Sequence, residues 1–148
     1  MKRSPELTPL SHSHHKGLFT AMQLRQAEDL DAAVAALLEF WEVHGDHHFA
    51  IEEQVLLPAW LALDPNADAE LAHRVAAEHL DLRVIVRRAR RGDVSLEELQ
   101  RCGDDISTHI RFEERELFPM IEAALSDADL KALGAELEEA EGEEDEQG

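Results

Sequence analysis

The 148-residue sequence contains one cysteine, no tyrosine and no long apolar run. A single cysteine, Cys102, excludes an intramolecular disulfide and gives no sign of an oxidising compartment. No stretch reaches the roughly 20 apolar residues of a membrane-spanning helix, and the N-terminal segment lacks the apolar core of a signal peptide. We therefore expect a cytoplasmic protein without a membrane partner.

Basic residues are also scarce. Lys and Arg total 14 against 33 Asp and Glu, which gives a formal net charge of −19. Nucleic acids and anionic membranes are bound through basic surfaces, so neither is an expected partner. Much of the negative charge lies in residues 136–146, and such a block favours a solvated, disordered segment. We predict a folded domain over residues 1–135 and an acidic tail over residues 136–148.

Patterns typical of β-strands are missing, because apolar and polar residues do not alternate and no Asn-Gly or Asp-Gly hairpin turn occurs. Leu, Ala, Glu and Arg dominate instead, and apolar residues recur at three- and four-residue steps, as in amphipathic helices. Four long helices joined by short turns predict an all-α, antiparallel up-down four-helix bundle with a short C-terminal helix.

Capping residues, prolines and glycines predict where these helices begin and end. Gly92 favours the end of the third helix, and Ser95 with Glu98 is typical of a capping box for the fourth. Pro58 and Pro119 predict a kink, or the end of regular helix, in the second and fourth. The predicted helices begin at Thr8-Pro9, cover about residues 31–63, 68–91 and 95–125, and end with a short segment after Ser126.

One pattern, His-x3-Glu-Glu-x3-apolar-Pro, occurs twice, at residues 48–58 and 109–119. Helical residues four apart lie on one face, so His48 projects beside Glu52, and His109 beside Glu113. The apolar residues on the same helical faces predict that both pairs point into the core. The chain therefore resembles two helix pairs of one design.

Buried carboxylates need a compensating cation or a complete hydrogen-bond network. A metal ion is the simplest solution, and mixed imidazole and carboxylate ligands suit iron, manganese or zinc. Two carboxylates able to bridge favour a two-metal centre in a helical bundle. The third helix offers His79, and the first offers His14 or His15, with apolar periodicity placing the buried face nearer His14. A metal-free polar network is the alternative, and it requires a hydrogen bond for every buried group.

Four sequence segments resemble the hemerythrin family and its HHE cation-binding relatives, over about residues 10–120. They are His15-Lys16-Gly17-Leu18-Phe19, His48-Phe49-x-x-Glu52-Glu53, Glu78-His79-Leu80-Asp81-Leu82 and His109-Ile110 followed by Glu113. The resemblance implies that Glu52 and Glu113 bridge two irons. It also implies that His15 and His48 bind one metal and that His79 and His109 bind the other, so it selects His15 over His14.

The sequence departs from the respiratory hemerythrins in two places. Those proteins carry a second histidine one turn before the third-helix ligand, where this chain has Val75, so one metal is expected to have an additional open position. Their fourth-helix carboxylate lies five residues after the histidine, whereas Glu113 lies four after it, which leaves Glu114 as an alternative. His44, one turn before His48, is a further ligand, a supporting hydrogen-bond partner or a core histidine.

The resemblance implies that such a metal pair binds dioxygen or a related diatomic molecule such as nitric oxide, or senses it. A sensor of this kind needs a separate signalling partner. Iron storage or delivery is the alternative function. A di-iron oxidase or peroxidase is less favoured, because the sequence shows no pattern of a substrate pocket, so we expect a metal- and oxygen-binding protein rather than an enzyme.

Overall fold

The computed structural model describes residues 3–147, with side chains up to residue 142, and every regular element in this range is helical. This confirms the predicted all-α class. No helix in this range combines the length and the apolar character needed to cross a lipid bilayer. The five helices are α1 Thr8–Gln26, α2 residues 30–63, α3 Ala69–Arg90, α4 residues 96–124 and α5 Asp127–Gln147.

Helices α2 and α4 contain π-helical turns, in which the hydrogen bonds span five residues instead of four. Helix α2 comprises Leu30–Phe40, a π turn at Trp41–Gly45, Asp46–Ile51, a second π turn at Glu52–Leu56, and Leu57–Leu63. Helix α4 comprises Leu96–Phe112, a π turn at Glu113–Leu117, and Phe118–Ala124. Regular helix is thus interrupted just before Pro58 and Pro119, as predicted, but both helices continue beyond the prolines.

The turn between α3 and α4 has the predicted stop and start residues. Gly92 adopts φ 72°, a left-handed conformation that favours glycine. Ser95 Oγ accepts a hydrogen bond from the Glu98 N–H, and the Glu98 carboxylate accepts one from the Ser95 N–H. The start of α1 differs in detail, because Thr8 is already helical and its hydroxyl donates to the Ser4 carbonyl oxygen.

Two apolar clusters are separated, along each of the first four helices, by buried polar residues. The first cluster includes Leu10, Leu56, Trp60, Val75, Leu117 and Phe118. The second includes Leu24, Leu37, Trp41, Val86, Leu99 and Ile106. Helices α1 and α3 run from the first cluster to the second, and α2 and α4 run from the second to the first. An up-down bundle requires this alternation.

Helix α5 is longer than the short helix that the sequence predicts. Leu130, Leu133 and Leu137 recur at three- and four-residue steps and pack into the first apolar cluster, where Leu137 is fully buried. The helix crosses the predicted boundary at residue 135, and the backbone is helical to Gln147 where a disordered tail was predicted. Gly148 and the side chains of residues 143–147 lie outside the described part of the chain.

Candidate metal centre

The four-residue steps in α2 and α4 bring each histidine of the repeat beside its glutamate. His48 Nε2 lies 3.3 Å from Glu52 Oε2, and His109 Nε2 contacts Glu113 Oε1. Each glutamate is the first residue of a π turn, and its carbonyl oxygen accepts from the N–H five residues later. The structure therefore repeats the same local geometry in both halves of the chain, as the sequence repeat predicted.

The carboxylate of Glu52 faces histidines from three helices. Its Oε2 lies 3.7 Å from His14 Nε2, in addition to the His48 contact, and its Oε1 lies 3.2 Å from His79 Nε2. Glu113 is placed in the same way, with Oε2 3.5 Å from His14 Nε2 and Oε1 3.8 Å from His79 Nε2. Both carboxylates can therefore be shared between two groups of histidines.

Two sets of four ligand atoms result, and within each set the atoms lie within 4.8 Å of one another. One set is His14, His48, Glu52 and Glu113, and the other is Glu52, His79, His109 and Glu113. Each set combines two imidazole nitrogens with two carboxylate oxygens, a donor combination that suits iron, manganese or zinc. The cluster could hold metal ions at both sets.

The cluster fits a cation because all six side chains are buried and many of their polar atoms make no hydrogen bond. Glu52 and Glu113 are fully buried, and the four histidines are 1–6% exposed. Among residues 3–142, the four carboxylate oxygens and both ring nitrogens of His14 and His48 have no hydrogen-bond partner. Buried polar groups in native proteins are nearly always hydrogen-bonded or ligated. A metal-free hydrogen-bond network therefore does not account for these atoms.

Protonation states in the metal-free cluster show the same need for positive charge. Burial lowers the pKa of His79 and of His109, but the carboxylates outweigh it and raise these pKa values to about 9 and about 10. Burial and the Glu52 carboxylate raise the pKa of Glu113, but His109 outweighs both and the pKa falls to about 2. The ionised glutamates thus hold protons on His79 and His109, and a metal ion can supply that charge instead.

The first helix contributes His14 rather than His15. His14 is 3% exposed and lies among the carboxylates, with its ring stacked on Phe118 at a centroid distance of 5.5 Å. His15, which the resemblance had selected, is exposed to solvent. The structure therefore brings together five of the six predicted ligands and puts His14 in place of the sixth. The apolar periodicity of α1, which pointed to His14, indicated the buried face correctly.

The structure also resolves the three alternatives that the sequence left open at Glu114, Val75 and His44. Glu113 lies in the cluster, whereas Glu114 Oε1 lies 3.5 Å from Nδ1 of His14, on the outer side of that ring. Val75 is fully buried in the first apolar cluster, so no further side-chain ligand comes from this turn of α3. His44 is partly exposed and belongs to neither ligand set.

Three glutamates outside the ligand sets contact the ligand histidines: Glu53 and Glu78, for which no role was predicted, and Glu114, which was predicted as an alternative to Glu113. Glu53 Oε2 accepts from His79 Nδ1 at 2.9 Å, and Glu78 Oε1 accepts from His109 Nδ1 at 2.7 Å. Together with Glu114, they face the outer nitrogens of three ligand histidines. Glu53 and Glu114 are the second glutamates of the two repeats, and Glu78 directly precedes His79. These positions were the sequence signals by which the three glutamates could have been found.

A cleft of about 440 Å³ opens between α3 and α4 beside the cluster. His79, His109 and Phe49 line it, and the Phe49 ring stacks on His79 at a centroid distance of 4.2 Å. Cys102 also lines the cleft, and burial raises the pKa of its thiol to about 12, so this cysteine is not a nucleophile at neutral pH.

Comparison with known proteins identifies a family whose model matches most of the chain. The family model described as the hemerythrin HHE cation binding domain matches residues 8–121. Neither the curated proteins nor the solved structures provide a match. The matched range covers more than half of the chain and contains all six residues of the two ligand sets. The chain therefore belongs to the hemerythrin HHE cation-binding domain family.

Proposed function

We propose that this protein binds a pair of metal ions, most simply two irons, and that the metal pair binds dioxygen or a related diatomic molecule such as nitric oxide. The observation that carries the proposal is the position of Glu52 and Glu113, each of which directs one oxygen toward each histidine pair. Carboxylates so placed are suited to bridging two metals in a helical bundle. Manganese and zinc are alternative metals for the same ligands.

Each proposed site has four protein ligand atoms, two from histidines and one from each glutamate. Iron accepts about six ligands in octahedral geometry, so coordination positions remain for a small molecule. Iron, when bound, supplies the electrons and the free coordination position that a diatomic ligand needs. The protein holds the ligands and excludes bulk water, because all six side chains are buried.

Close packing around the six side chains suits a site that holds its ligands in place and excludes water. The rings of Phe118 and Phe49 stack on His14 and His79, and the two apolar clusters flank the polar band along four helices. As part of the proposal, helices α1 to α4 form an up-down four-helix bundle, and α5 packs against the first apolar cluster. It also includes approach of the small molecule through the cleft beside His79 and His109.

Metal analysis of the purified protein, combined with its visible spectrum in air and after reduction, tests the proposal. We expect two irons per chain, ferric absorption bands in air that bleach on reduction, and a spectral change when nitric oxide is added. Rapid loss of iron to a weak chelator, without a stable spectrum, would favour storage or delivery instead. A folded protein that takes up neither iron, manganese nor zinc during anaerobic reconstitution would contradict metal binding itself.

A further inference from the structure

Outer hydrogen bonds support the histidine pair on α3 and α4. His79 donates from Nδ1 to Glu53, whose carboxylate also accepts from Arg83 Nη2 at 2.9 Å. His109 donates from Nδ1 to Glu78, whose carboxylate also accepts from Arg74 Nε at 3.2 Å. Each ring is therefore fixed by a glutamate that is itself held by an arginine.

The histidine pair on α1 and α2 lacks this support. His14 Nδ1 lies 3.5 Å from Glu114 and makes no hydrogen bond, while the other oxygen of Glu114 accepts from Ser11 Oγ at 2.9 Å. His48 Nδ1 is buried and has no hydrogen-bond partner within residues 3–142. The two ligand sets, although identical in donor atoms, therefore differ in what surrounds them.

We propose that the two metal sites differ in affinity, with a tightly held ion between His79 and His109 and an exchangeable ion between His14 and His48. This inference rests on the proposed binding of two metals. An acceptor on Nδ1 fixes the tautomer and orientation of a ligand histidine and raises its basicity, and loss of such a partner typically costs about 10–100-fold in metal affinity. We therefore expect the two dissociation constants to differ by at least about tenfold.

The difference gives the protein a stable one-metal form. The second ion then binds or leaves as the supply of free metal changes, and the shared carboxylates of Glu52 and Glu113 remain held by the first ion. Glu53 and Glu78 are positioning residues in this scheme, because they act on the metal through His79 and His109.

Competition between the metal-free protein and a calibrated chelator for iron(II), without oxygen, measures both binding steps. Zinc(II), which is diamagnetic, identifies the site that fills first through the imidazole resonances of the four histidines. We expect two separate steps, with the His79 and His109 resonances shifting during the first equivalent and those of His14 and His48 during the second.

Substitution of the positioning residues tests the cause of the difference. We expect Glu53→Ala and Glu78→Ala each to weaken the tighter step by about 10–100-fold and to leave the weaker step unchanged. Glu53→Gln keeps an oxygen that accepts from Nδ1 but lacks the charge, so its effect is expected to be intermediate. Glu97→Gln, at an exposed position in the first turn of α4, is the matched control and should alter neither step.

Two results would overturn the inference. Both ions binding in one step of equal affinity would do so, and so would zinc shifting the His14 and His48 resonances first. Either result leaves two-metal binding intact, whereas absence of any binding of iron or zinc contradicts the proposed function. The titrations of the unsubstituted protein decide the matter even if a variant fails to fold.

Discussion

The Nε2 atoms of His79 and His109 lie 3.1 Å apart in the buried cluster. Each ring donates from Nδ1 to a different glutamate, so in the neutral form both Nε2 atoms carry a lone pair. Two lone pairs cannot form a hydrogen bond with each other, and both also face carboxylate oxygens. These atoms therefore need a cation to offset their mutual repulsion. The cation is either a proton on the rings or a metal ion that takes both nitrogens as ligands.

The first prediction distinguishes the neighbouring histidines of α1. We expect His14→Ala to remove metal from the His14–His48 set, because only the His14 ring lies among the carboxylates. His15→Ala is the matched control and should retain two metals per chain, since His15 is exposed. Metal analysis of both variants after identical reconstitution checks this. Metal loss in the His15 variant alone would contradict the position of His14.

The second prediction concerns the shared carboxylates. Glu52→Gln and Glu113→Gln each remove a charge that both ligand sets use, so each should lower the metal content below two ions per chain and weaken the ion that remains. Substitution of an unshared histidine should affect one ion only. Metal stoichiometry and chelator competition measure the difference. A glutamine variant that still binds two ions with normal affinity would show that the carboxylates do not bridge.

The third prediction concerns pH. The pKa values of His79 and His109 are raised to about 9 and about 10, so both rings are protonated in the metal-free protein at pH 7. A metal ion needs their Nε2 lone pairs and must displace these protons, so binding should release protons at pH 7 and weaken as the pH falls. The release should decrease as the pH rises through about 9 and about 10, where the two rings lose their protons without metal. Calorimetric titration in buffers with different ionisation enthalpies counts the protons, and a count of zero at pH 7 would contradict the raised pKa values.

The fourth prediction tests the close packing of α1 on α4. A Cβ atom added at Gly103 would lie 2.6 Å from the Ala21 carbonyl oxygen, a backbone atom that cannot move aside without shifting the helix. We expect Gly103→Ala to lower the free energy of unfolding by about 1–3 kcal/mol. Gly142→Ala is the control, because nothing lies within 4 Å of its added Cβ, and alanine there should be neutral or stabilising by up to about 1 kcal/mol. Urea unfolding of both variants gives the comparison.

The fifth prediction tests whether α5 belongs to the folded domain beyond residue 135. Leu137 is fully buried in the first apolar cluster, so Leu137→Ala should cost about 2–5 kcal/mol of stability. Glu138→Ala, at an exposed neighbouring position, should change stability by less than about 0.5 kcal/mol. Equal stability of the two variants would favour the disordered tail that the charge pattern predicted.

Most of the fold and five of the six clustered residues could be predicted, because helical spacing decides which residues share a face. The four-residue step from His48 to Glu52, and from His109 to Glu113, fixes a shared helical face without any knowledge of the tertiary structure. The capping box at Ser95 is equally local. Repetition of the pattern in two helices then indicated that both carboxylates point to one place.

The remaining features depend on the angular position of each residue around its helix and on contacts between helices. His14 and His15 differ by one residue, or about 100° around α1, so a small error in the helical phase exchanges them. The partners of Glu53 and Glu78 lie on other helices and could not be identified from spacing within one helix. For α5, the charge of residues 136–146 masked the apolar spacing of Leu130, Leu133 and Leu137.

Anomalous diffraction from crystals of the iron-loaded protein, recorded on both sides of the iron absorption edge, would locate the metal pair without reference to any spectrum. We expect two iron peaks that share the carboxylates of Glu52 and Glu113, one beside His14 and His48 and the other beside His79 and His109. Iron bound elsewhere on the acidic surface, with the buried cluster free of anomalous signal, would contradict a metal pair held by these six residues.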